Sequence, residues 1–221
     1  MRWHWLSRTV AALLSGMALT AIAVPPTQER VIELCAQVES PGHCGRRIEA
    51  EQLKALPNLA TRDGDRLKIT MFPAGSREFV DAILGANARA YALWDYWSNV
   101  NAVVLFISEG ERLSYGVLQR ANGQLALLPA EPFLAPDRQH LVVADFCEND
   151  CTNELSVWRV ARDGIRKEAS LAPSNRWSDV TAGWIDGDTL TLRYTTPGQD
   201  QPRTVNLPLA SSDWKRVGAS N

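Results

Sequence analysis

Residues 136–164, PDRQHLVVADFCENDCTNELSVWRVARDG, place two apolar runs on either side of a short acidic turn flanked by cysteines, and this pattern predicts a β-hairpin. From His140 to Phe146 both alternating sets are largely apolar, Val142, Ala144 and Phe146 against Leu141 and Val143, so this strand is expected to be covered on both faces. The return strand mixes Leu155, Val157, Trp158 and Val160 with polar Ser156 and Arg159, and Trp158 is expected in the core with Val160 on its side. The neighbouring strands are most simply placed by packing on this pair.

From Asp63-Gly64-Asp65 onward the chain is made of short apolar alternations separated by Gly, Pro, Asn and Asp. Strands are predicted over 67–72, 90–96, 102–107, 113–119, 124–128, 189–195 and 204–209. Turn dipeptides separate many of them, among them Glu109-Gly110, Asn122-Gly123, Asp163-Gly164, Asp186-Gly187 and Pro197-Gly198. Residues 79–84 fit either a short helix or an irregular strand. No helical stretch of about 10–15 residues interrupts the series after residue 63, which argues for antiparallel connections and excludes a parallel α/β sheet.

Before this region, residues 1–23 carry Arg2 and Arg8, a short apolar run and Ala21-Ile22-Ala23, the pattern of a secretory signal peptide cleaved before Val24. Without those residues the formal charge is 21 − 25 = −4, and no basic stripe is interleaved with aromatics, so nucleic acid is not an expected partner. No stable membrane span is expected once the signal is removed. Val31, Leu34, Cys35 and Val38 recur at helical spacing behind a Thr27 cap, Ser40-Pro41-Gly42 breaks that helix, and a second one restarts at Gly45 and stops at Pro57. An exported chain with four cysteines is expected to oxidise them, and the spacing favours local bridges, Cys35–Cys44 clasping the helices and Cys147–Cys151 closing the hairpin tip. The organisation expected is a signal peptide over 1–23, a helical hairpin over 24–60 and a β-rich domain over 61–221.

Within the last domain, APDRQHLVVADF, NELSVWRVARDG and WSDVTAGWIDGDTLTLRY, covering about 60 residues of 135–195, resemble a blade of a WD-type β-propeller followed by the start of the next. The resemblance implies four-stranded antiparallel blades whose inner strand ends and loops line a binding surface. The chain departs from the pattern at Asp137-Arg138, where the usual glycine is missing, and shows no upstream repeat of the signature; at roughly 40 residues per blade it has room for about four. The expected fold class is therefore mainly β, an antiparallel β-sandwich or a small propeller-like array, preceded by the disulfide-clasped helical hairpin.

Chemistry has few footholds. Beyond the signal the only histidines are His43 and His140, neither in a catalytic or metal motif, and no nucleophile elbow, zinc-protease, Walker or Rossmann pattern occurs. No cofactor and no metal centre are expected. Two clusters remain. Asp145, Glu148 and Asp150 crowd the hairpin tip as a solvated acidic turn, a cation site or a carboxylate pair. AYALWDYWSNVN sets Tyr91, Trp94, Tyr96 and Trp97 around Asp95, where four rings within seven residues leave at least one facing a rim or a partner. The candidate binding residues are thus Trp94, Asp95, Tyr96, Trp97, Asp145, Glu148 and Asp150. They point to an exported, periplasmic or secreted, non-enzymatic protein that binds a protein partner in the cell envelope, of the inhibitor or immunity type. A carbohydrate- or metal-ion-binding module and a carboxylate-based hydrolase are the alternatives.

Overall fold

The computed structural model describes residues 26–38, 40–82, 88–149, 151–199 and 201–218, so the expected signal peptide lies outside the described residues. Two helices come first. Helix α1 (Gln28–Cys35) starts where Thr27 Oγ1 accepts from the Arg30 N–H at 3.3 Å. Helix α2 (Pro41–Ala55) starts four residues earlier than the sequence suggests, because Ser40-Pro41-Gly42 is its beginning rather than a break: Ser40 Oγ accepts from the His43 N–H, and Pro41 occupies a first-turn position whose N–H has no helical partner. The Cys35–Cys44 bridge clasps the two helices. No described helix is long and apolar enough to cross a membrane.

Four antiparallel sheets then follow in chain order. The first holds β1 (Ala60–Asp63), β2 (Arg66–Thr70) and β3 (Ser76–Val80). The second is a meander of β4 (Arg89–Trp97), β5 (Ala102–Glu109), β6 (Arg112–Gln119) and β7 (Leu125–Leu128). The third is a meander of β8 (Pro132–Leu134), β9 (His140–Asp145), β10 (Glu154–Ala161) and β11 (Gly164–Leu171). The fourth contains β12 (Ser178–Trp184), β13 (Thr189–Thr195) and β14 (Arg203–Pro208), after which β15 (Lys215–Arg216) returns to pair with β11. The predicted hairpin is β9–β10, closed by Cys147–Cys151.

Each sheet packs on the next through its own apolar layer. Leu67, Ile69 and Phe79 of the first sheet meet Leu93, Val103, Leu105 and Leu118 of the second. Ala102, Val117 and Leu128 of the second meet Leu141 and Val143 of the third, with half-buried Trp158 and Val160 beside them. Val142, Leu155 and Val157 of the third meet Leu190, Leu192, Tyr194 and Leu207 of the fourth. The arrangement is a serial array, not a two-sheet sandwich, and among the described residues no apolar cluster joins the fourth sheet back to the first. The end sheets carry polar outer faces, as terminal units of a stack must: Arg66, Lys68 and Thr70 point away from buried Leu67 and Ile69, and Arg193 away from Leu192 and Tyr194.

In every sheet the second strand is central to the core and follows an Asp or Asn turn. Asp137 Oδ1 accepts from the Gln139 and His140 N–H groups at 2.8 and 3.1 Å, and Asp186 Oδ1 does the same for Asp188 and Thr189 at 3.1 and 2.7 Å. Arg138, standing where the resembled blade turn has glycine, adopts φ +62°, and Asn101, before β5, adopts φ +51°. The upstream units are therefore present as structure although the signature is not repeated as sequence. Strand β11 also went unpredicted, since Arg166, Lys167 and Glu168 interrupt its apolar alternation. These charges find partners across the strands: Lys167 pairs with Glu154, and Glu168 with His140 and Arg159.

Candidate binding groove

Strand β4 carries the predicted aromatic cluster, and a register shift decides what the cluster can do. Leu93 pairs with Leu105 and Asp95 with Val104, which leaves Trp94 as the extra residue of a β-bulge. The bulge reverses the alternation, so Tyr91, Leu93 and Tyr96 pack toward the first sheet while Trp94 and Trp97 pack toward the helices. Trp94 is 5 % exposed, stacks on Phe106 at 5.4 Å, and donates its indole N–H to Glu131 Oε1 at 2.7 Å. An outward-facing anchor at Trp94 is thus corrected: four aromatics within seven residues are reconciled by the bulge, with Trp94 inside. Tyr96 and Trp97 are half-buried, Tyr96 beneath the Arg120 guanidinium.

Asp95 is also buried, accepting from the Tyr96 N–H at 2.7 Å. Burial pushes its carboxyl above the usual carboxylate range, and the Tyr96 and Trp97 hydrogen bonds offset this only in part. Glu131 is raised by burial as well, with the Trp94 indole opposing and the neighbouring Asp95 charge reinforcing the shift. Burial, then the Glu131 charge, raises the Tyr115 phenol. Sequence reading missed Glu131, which lies 36 residues beyond Asp95 in an Ala-Glu-Pro link between sheets. The fold does pair two carboxyls, but rings enclose them.

The second cluster opens onto the surface. Asp145 is buried at the base of the tip, where Oδ2 accepts from the Thr152 N–H at 2.8 Å and the Thr152 hydroxyl at 2.6 Å. It ties the two strands together instead of facing solvent. Glu148 is exposed on the tip, and Asp150 lies outside the described residues. Beside Glu148 is a groove of about 580 Å³ between the tip and the start of the fourth sheet, lined by Phe146, Cys147, Glu148, Arg176, Trp177 and Asp179 among others. Trp177 stacks on Tyr194 at 4.1 Å and on Phe146 at 5.7 Å. Arg176 Nη2 donates to the Glu148 carbonyl at 3.2 Å. Asp179, at φ +50° beside a register shift in β12, accepts from the Thr195 hydroxyl at 2.9 Å.

Of the described tip residues, the groove takes in Glu148 and not Asp145. Trp94, Asp95, Tyr96 and Trp97 sit on the second sheet instead. Arg176, Trp177 and Asp179 were missed, although RWSDV, a tryptophan between opposite charges just before a strand, was a signal for them. Among the described residues no group of three His, Cys, Asp or Glu side chains is placed to hold a metal ion. No protein-family model matches the chain, and no curated protein matches it.

Proposed function

We propose that this chain is an exported protein, freed of residues 1–23 and located in the periplasm or outside the cell, that binds a protein partner through the groove beside Trp177. The observation that carries this reading is the groove: an open concavity whose wall includes the stacked rings of Phe146 and Trp177 and whose rim is closed covalently by Cys147–Cys151. A preorganised rim lowers the ordering cost of binding, and aromatic anchors flanked by charge are what protein interfaces use. Export is supported by the signal-like first segment and by two bridges with no free cysteine among the described residues. An inhibitor or immunity factor acting on an envelope protein works in this way.

A photo-crosslinking residue at exposed Pro197, which lines the groove, tests the reading against one at exposed Lys68 on the outer face of the first sheet. A discrete adduct from position 197 that is absent from position 68, with the protein expressed in its own envelope, supports it. Identical adducts from both positions, or none from 197, contradict it.

A further inference from the structure

We infer that the segment of the partner received by the groove is basic, with a lysine or arginine side chain pairing with Glu148. This rests on the reading of the groove as the partner site. Two carboxylates line the groove against one guanidinium, and the three are not equally engaged. Arg176 is held by the Glu148 backbone carbonyl, and Asp179 by the Thr195 hydroxyl. The Glu148 carboxylate has no hydrogen bond or ion pair among the described residues. It projects from a tip whose backbone is braced by the disulfide and by the Asp145–Thr152 hydrogen bonds, so only its side chain has to be ordered on binding.

The same geometry disfavours the other ligand classes. Phe146 and Tyr194 both lie nearly parallel to Trp177, at interplanar angles of 24° and 17°, so both rings stack on its indole. Ring surface of Trp177 is thus already taken up by protein, whereas sugar stacking requires a free ring face. An anion would meet two carboxylates. Among the described residues a bare metal ion would find no third carboxylate, because Asp145 is engaged by Thr152. A peptide supplies what is missing: a cation for Glu148, and backbone carbonyls for the remaining Arg176 N–H groups.

The test uses the purified, oxidised protein and two fluorescein-labelled octapeptides, one alternating lysine with alanine and one alternating glutamate with alanine. The lysine peptide is expected to bind on the order of tenfold more tightly at low ionic strength. Glu148→Gln is expected to remove on the order of fivefold of that preference, while Glu111→Gln, which deletes the same charge from the exposed β5–β6 turn, leaves it intact. Equal binding of the two peptides, or equal loss in the two variants, overturns the inference. The groove reading fails separately: a position-197 adduct that forms undiminished in Glu148→Gln sinks the basic segment and keeps the groove, whereas the absence of any groove-specific adduct sinks the groove itself.

Discussion

The helix-covered second sheet and the groove between the third and fourth sheets both contain carboxylates, an arginine and tryptophan, yet they use them in opposite ways. Around β4 the polar groups are turned inward and satisfied. Glu49, 2 % exposed, accepts from Arg62 Nε and Nη2 at 2.8 and 2.7 Å and from the Leu93 N–H at 2.9 Å. Asp81 accepts from the Tyr91 N–H at 2.9 Å and from Arg62 at 3.3 Å, while Arg62 donates to the Tyr91 carbonyl. Side chains from α2, β1 and the end of β3 thus replace the missing neighbour strand along the β4 edge, which would otherwise present unpaired backbone groups. Gly45 lets α2 lie close to this sheet, since a Cβ there would come within 2.7 Å of Phe106. At the groove, by contrast, Glu148 is exposed and has no partner among the described residues, and Trp177 stacks on Phe146 and Tyr194. Satisfied polar groups make a scaffold; an unsatisfied one on a braced backbone makes a contact surface.

The largest effect expected from this contrast is at Arg62. Arg62→Ala leaves Glu49 and Asp81 buried with only half-exposed Arg46 nearby, and should cost about 3–5 kcal/mol in denaturant unfolding. Arg176→Ala, the matching deletion at the groove, should stay within about 0.5 kcal/mol. Similar losses at the two arginines would erase the distinction.

A smaller effect concerns pH. An acid whose folded-state pKa is raised contributes stability that is present at low pH and lost as the pH rises through the folded value. Asp95 and Glu131 are both raised, so their seam should strengthen on acidification from pH 8 until the ordinary carboxylate range near about 4 is reached. Glu131→Gln keeps an acceptor for the Trp94 indole but cannot ionise. It should therefore raise Tm at pH 8, by less than the Arg62 change lowers it, and shrink the gain on acidification. An unchanged difference in Tm between pH 8 and pH 5 would show that Glu131 does not carry the effect.

Much of the scaffold could be read from residue pattern. The Thr189–Thr195 alternation gave its strand to the residue, the turn dipeptides marked most connections, and the two local bridges followed from cysteine spacing. What escaped reading was what depends on tertiary context. Strand β11 is held by cross-strand ion pairs that no apolar periodicity announces, and the Trp94 bulge flips a face by inserting a single residue. The groove is assembled from the tip, a segment about 30 residues later and Pro197, so the tip's acids were legible but the Arg176-Trp177-Ser178-Asp179 wall was not.

The central claim, that recognition belongs to the groove and support to the β4 region, is tested most directly by measuring stability and position-197 adduct yield on the same two proteins, Trp94→Ala and Trp177→Ala. Trp94→Ala should lose about 3–5 kcal/mol through lost burial and the cavity left behind. Trp177→Ala, truncating a half-buried ring, should lose only about 1–2 kcal/mol while adduct yield falls on the order of tenfold. Full adduct yield from a folded Trp177→Ala protein, or a Trp94→Ala protein that keeps its stability and loses the adduct, would contradict the account.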